Sequence, residues 1–267
     1  YSASNAADGE VTPRLSSASL PELTKSLSDA RRPVRQHAAD QIVDRIGSEA
    51  AQPLTTELAN SLKDSLQPAT PQILWSLFKL GQLQSTDLRK CYLNGTERSR
   101  IHVLRICSEM PPGPDVTLLI RSGLLDPSAL VKRAAADAAA QHPDVEILKE
   151  VINLATTVSS DDVHLQHGLK IALRNQLLDP EVADWFKSQQ QPVASDTAVA
   201  GILDGLHCDH TGAVALSLLT GNSLEKDVKS EVFRRAARSV SQDTITVLTS
   251  LVRQLPSSDA ALKIELW

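Results

Sequence analysis

The chain has 267 residues, a formal net charge of −5 and only 3% aromatic residues. That balance argues against a protein whose main business is coating nucleic acid or an anionic membrane, and β-branched residues too rarely alternate with polar ones to build a sheet. No apolar run approaches the roughly 18–20 residues that span a bilayer, and nothing near Tyr1 has the charged-then-apolar form of a signal peptide.

Residues 1–18 are small and polar and read as a disordered or loosely docked arm. Over residues 19–267 the pattern is of short helices in pairs. The first pair spans 20–28 and 33–46, with Asp29 near the second helix's start, Pro33 in its first turn, where a missing N–H costs nothing, and Gly47 ending it. The second spans 50–65 and 70–80, with Thr70-Pro71 as cap and first-turn proline and Gly81 as terminator. A third pair covers 85–93 and 97–110, and a fourth 115–125 and 127–142, with Pro111-Pro112-Gly113-Pro114 between them as the firmest break in the chain. The fifth (144–158, 161–178), sixth (180–189, 195–206) and seventh (212–219, 224–240) follow, and an eighth begins at 243–255. Because the chain starts at Tyr1 rather than Met, and 260–267 read as a helix cut short, a piece of a longer protein is expected.

An internal repeat underlies the pairs. Asp29-Ala-Arg-Arg-Pro-Val-Arg-Gln-His-Ala-Ala-Asp40 aligns without a gap on Asp126-Pro-Ser-Ala-Leu-Val-Lys-Arg-Ala-Ala-Ala-Asp137, and Val228-Lys229 ahead of Arg235-Ala236-Ala237 keeps the same 97-residue spacing. That spacing divides into three units of about 32 residues, the length of a two-helix repeat. An amphipathic pair cannot bury both apolar faces alone, so neighbours must stack into one right-handed superhelical core. The Asp, Val-Arg/Lys and Ala-pair pattern resembles a HEAT repeat, in its compact bacterial variety. The resemblance implies that Val34 and Val131 enter the core, and that Asp29 and Asp126, with Arg35 and Lys132, link neighbouring helices by capping and charge pairing. The expected fold is all-α, a right-handed α-solenoid of about seven to eight HEAT-like helical hairpins. The expected function is that of a non-catalytic scaffold for a partner protein or a neighbouring domain.

A second resemblance lies in Asp161-Asp162-Val163-His164-Leu165-Gln166-His167-Gly168-Leu169-Lys170-Ile171-Ala172-Leu173-Arg174-Asn175-Gln176-Leu177. It is similar to a segment of large exported bacterial proteins that join a sorbosone-dehydrogenase-like propeller, a HEAT-repeat region and a c-type cytochrome domain. That resemblance implies an exported protein in which this chain is the middle, spacing region. The Cys-x-x-Cys-His of a haem attachment is absent here, as are propeller strands, so no redox activity carries over to these residues and no cofactor is expected.

On a helical wheel Leu165, Leu169, Ala172, Leu173 and Gln176 share one side of the fifth pair's second helix, and His164, His167, Ile171, Arg174 and Leu178 the other. The first set is core. The second would face the concave wall of a superhelix, where two histidines one turn apart beside an arginine can grip a carboxylate, phosphate or peptide carbonyl. His164, His167, Ile171 and Arg174 are therefore the candidate partner-binding residues. A shared metal lacks a third ligand at motif spacing.

His207-Cys208-Asp209-His210 reads as a solvated turn with Asp209 capping the next helix. The odd cysteines Cys91, Cys107 and Cys208 lack zinc or disulfide spacing, and Cys91 and Cys107 read as small core residues. Arg98, Arg100 and Arg105, Lys132 and Arg133, and Arg234, Arg235 and Arg238 make second helices basic, as in HEAT-like DNA glycosylases that hold duplex DNA. Acidic neighbours such as Glu97, Glu109 and Glu231 dilute that effect and favour solvated or inter-repeat arginines. Nucleotide-binding and hydrolase motifs are missing, and no small-molecule substrate is indicated.

Overall fold

The computed structural model describes residues 14–64, 66, 68–159, 161–188, 193–220, 224–239, 241, 242 and 244–265. Among them every regular element is helical and there is no strand. Residues 1–13 of the N-terminal arm lie outside the described residues, as do the expected helix ends at Ser65, Gln189 and Val240, the start at Asp243, and Leu266-Trp267. No helix among the described residues is long and apolar enough to cross a membrane. The chain divides into two compact units, Tyr1–Ile106 and Cys107–Trp267.

In the first unit, a 3₁₀ turn with Leu15 buried precedes α1 (Leu20–Ser26), whose N-terminus is a capping box: Glu22 accepts from the Ser19 N–H and the Ser19 hydroxyl, both at 2.7 Å. Next come α2 (Arg32–Gln41), α3 (Ala51–Ser61), α4 (Thr70–Lys79), α5 (Ser85–Asn94) and α6 (Glu97–Cys107). Gly47 and Gly81 stand at φ of 67° and 66°, the left-handed region that closes a helix cheaply only with glycine. Helix α2 packs on α1 and α4, and α3 on α4. Leu23, Ile42, Leu54, Ile73, Leu74 and Leu77 are fully buried there, each worth about 1.5–3 kcal/mol of transfer free energy.

Thr70 does not cap α4. Its hydroxyl lies 2.9 Å from that of Ser61 in the buried seam between α3 and α4, because the start of α4 is packed against the end of α3. At the repeated motif, Asp29 accepts from the Arg31 side chain and N–H, which hold its carboxyl down to about 2. Arg35 is buried and donates to the carbonyls of Asp29 and Ala30, tying α2 to the preceding turn. Asp126 makes the matching turn in the second unit, accepting from the Ser128 N–H at 2.9 Å. There the charge pairing falls one residue beyond Lys132: Arg133 meets Asp162 at 2.6 Å.

The second unit holds α7 (Pro114–Leu124), α8 (Ala129–Ala139), α9 (Val145–Thr157), α10 (Val163–Leu178), α11 (Pro180–Ser188), α12 (Val193–Ala200), α13 (Thr211–Thr220), α14 (Lys226–Arg238), α15 (Ile245–Arg253) and α16 (Ala260–Glu265). Helices pack on their sequence neighbours and on the helix two places along: α7 on α8 and α9, α8 on α10, α11 on α13, α12 on α14. Val34 and Val131 are buried as expected, whereas Val228 is half-exposed. The repeat persists at two other positions, Ala38, Ala135 and Val232, then Ala39, Ala136 and Phe233, all buried and all 97 residues apart.

Polar bonds join successive pairs at one recurring interval. Arg121 meets Glu150 at 3.1 Å, and the ring N–H of His142 donates to Cys107 O at 2.7 Å. The Gln176 amide donates to Ala139 O and His142 O at 2.6 and 2.7 Å and accepts from the Asp144 N–H at 2.9 Å. His210 donates to Leu177 O at 2.7 Å, and Arg235 to Leu206 O at 3.0 Å. These bonds span between 29 and 37 residues, close to one helix pair. Cys91 and Cys107 lie in the core, where burial pushes both thiols up to about 12.

Candidate functional site

Helix α10 is anchored at its start by Asp162, which accepts from the Leu165 N–H at 3.0 Å; that bond, and then the Arg133 guanidinium, hold its carboxyl below the usual range. Leu165, Leu169, Ala172, Leu173 and Gln176 are buried, so the wheel assignment of the core face holds. On the opposite face His164 and His167 are exposed, Ile171 is 37% and Leu178 39% exposed. Val163, at 66%, adds a third exposed apolar side chain at the start of the helix, beside His164. It escapes the wheel reading because it begins the helix, where an apolar residue passes for a contact of the preceding turn.

Arg174 is half-buried rather than free on that stripe. Its Nε and Nη2 donate to Asn175 Oδ1 at 3.1 and 2.9 Å, and Asn175 donates to Ala140 O at 3.0 Å. The face thus offers two solvated imidazoles and three apolar side chains, with Arg174 held at its edge. At the other histidine cluster, His210 is turned inward to Leu177 O, Thr211 Oγ1 accepts from the Cys208 N–H at 3.1 Å, and Asp209 is exposed without a capping bond. The hydroxyl of Thr211, the first residue of α13, instead fixes the turn before the helix, accepting from the Cys208 N–H and donating to Leu206 O at 2.8 Å. Among the described residues no three His, Cys, Asp or Glu side chains stand together as a metal site.

The first unit carries a second candidate. One face each of α2, α4 and α6 encloses a cleft of about 410 Å³ lined by Arg32, Lys79, Trp75, Arg98, His102 and Arg105, among others. Asp40 is the one acidic lining residue, and Lys79 stands 3.9 Å from it. In the cleft wall Trp75 Nε1–H donates to His102 Nδ1 at 3.0 Å. Burial, then the charges of Arg105, Arg98 and Arg32, pull His102 down to about 4. Deeper in the lining, Ser76 is 1% and Gln72 8% exposed, and neither Ser76 Oγ nor Gln72 Oε1 has a hydrogen-bond partner.

Sequence reasoning saw Arg98 and Arg105 only as part of a basic helix and passed over Arg32, Trp75 and His102. The signal was present as spacing: 32, 36, 40 on α2, 72, 75, 76, 79 on α4 and 98, 102, 105 on α6 each mark one helical stripe. No family model matches the chain, and no curated protein matches it.

Proposed function

We propose that the chain is a non-catalytic protein-binding scaffold of HEAT-like hairpins, arranged as in a right-handed α-solenoid, which captures a partner protein or neighbouring domain on the outward face of α10. The observation that carries this reading is the solvent-facing stripe itself: Val163, Ile171 and Leu178 expose apolar side chains beside His164 and His167 on a helix whose other side is fully used in packing. Apolar contact area flanked by imidazole donors and acceptors suits a protein surface better than a small substrate. The HEAT-like reading draws support from bonds that span about one helix pair and from packing of every second helix on the next.

The test replaces His164, His167, Ile171 and Arg174 by alanine together and measures capture of interacting proteins from source-cell extract by the immobilised chain. Capture is expected to fall about ten-fold or more, with Tm within about 4 °C of the parent, since none of the four fills the core. Undiminished capture by the quadruple variant would remove this face from the mechanism.

A further inference from the structure

We propose that the cleft between α2, α4 and α6 is a binding site for an acidic peptide segment, its carboxylates taken by Arg32, Arg98 and Arg105 and its backbone by Gln72, Ser76 and His102. This extends the scaffold reading by naming the chemistry of a partner, and it stands on a different unit from the α10 face, so either surface can fail without the other.

Charge points to the ligand's sign. Three arginines and Lys79 line the cleft against Asp40 alone, and Arg32 and Arg98 are exposed without a hydrogen bond or ion pair among the described residues. Like charges gathered in one cleft repel one another, and a carboxylate placed among them relieves that repulsion while accepting paired guanidinium N–H groups. Arginine side chains that fold back on local acids, as Arg31 does on Asp29, carry no such signal.

Hydrogen-bonding capacity narrows the class. An indole N–H only donates, so His102 Nδ1 must accept, which places the ring proton on Nε2. His102 Nε2–H has no partner among the described residues and lines the cleft, so it is a neutral donor beside the cations. Ser76 Oγ and Gln72 Oε1 are buried and unpaired in the same lining, and a buried polar atom left unpaired favours a ligand that pairs with it. Gln72 Oε1 accepts and the other two groups donate, and a peptide backbone supplies N–H and C=O side by side. Trp75, half-buried and lining the cleft, gives the segment's aliphatic stems an apolar surface to lie on.

Size and field disfavour a nucleic acid. A cleft of about 410 Å³ is the scale of a small-molecule or short-peptide site. A strand held by its phosphates needs a longer basic track, which a chain of net charge −5 opposes.

The test titrates the whole chain into fluorescein-labelled hexaglutamate at about 50 mM salt, with hexaglutamine and a thymidine hexanucleotide as parallel probes. Hexaglutamate is expected to bind, hexaglutamine to bind at least about ten-fold more weakly, and Arg98→Glu and Arg32→Glu each to weaken hexaglutamate about ten-fold. Lys229→Glu in α14 is the charge control and should change affinity less than about two-fold. Both arginines are exposed, so each variant is checked for an unchanged thermal transition, and Ser76→Ala adds an uncharged probe expected to cost about three-fold. Absence of hexaglutamate binding at about 1 mM, or an equal loss in Lys229→Glu, overturns the site. Oligonucleotide binding as tight as that of hexaglutamate, and lost in Arg98→Glu, overturns the peptide assignment.

Discussion

His102, buried against Trp75 and ringed by Arg105, Arg98 and Arg32, makes the first unit sensitive to mild acid. The unfolded chain takes a proton on this histidine near the ordinary 6.5, whereas the folded chain resists it until about 4. Between those values the unfolded state binds more protons, so this contribution to stability is complete above about 6.5 and is lost as pH falls toward 4. Arg32, Arg98 and Arg105 oppose protonation, while Asp40, already near Lys79, is the one carboxylate in the same lining. His102→Gln retains an acceptor for the indole and abolishes the titration. Between pH 7 and 5, wild-type Tm should therefore fall a few degrees further than that of His102→Gln; parallel curves would show that burial and the arginines do not hold His102 neutral in the folded chain. None of this was legible in the sequence, because Trp75 and His102 lie 27 residues apart and meet only once α4 and α6 are side by side.

At the scale of the element, Gln176 explains why a polar residue sits among the leucines of α10. Its amide makes three bonds, to Ala139 O, His142 O and the Asp144 N–H, and so closes the turn between α8 and α9 from the next helix along. Gln176→Leu keeps the volume but leaves His142 O and the Asp144 N–H without partners, while Ala139 O keeps only the 3.3 Å bond from the His142 N–H. The expected cost is about 2–4 kcal/mol in urea unfolding, and a change below about 0.5 kcal/mol would mean that these groups find other partners. The wheel placed Gln176 on the buried side correctly, since periodicity reports the face. The bonds it makes there depend on which turn stacks against it, and that partner is set by tertiary packing. The same limit explains Thr70, read as a cap from local chemistry but drawn to Ser61 on α3, and the charge pairing that the repeat resemblance implied for Lys132 but that Arg133 makes with Asp162.

For the molecule as a whole, helices and their breaks were readable because Pro, Gly and the apolar period punctuate the chain at every pair, and the observed helices follow in the expected order. The candidate sites were half readable: exposure of the α10 face followed from its own period, while the α2/α4/α6 cleft is the sum of three stripes that no single segment displays. The resemblance of the fifth pair to exported dehydrogenase–cytochrome proteins makes a prediction at this scale. The parent gene should encode a β-propeller upstream and Cys-x-x-Cys-His downstream, and stop codons close to both ends would sink it. Finally, bonds that reach only 29 to 37 residues along the chain have a consequence for how it folds. Loop-closure entropy grows only as the logarithm of loop length, so each of these closures carries nearly the same modest cost, and none of these bonds has to wait for distant ends to meet. Helix pairs that these bonds join in the second unit can thus form from short stretches of chain, without the whole unit first being ordered.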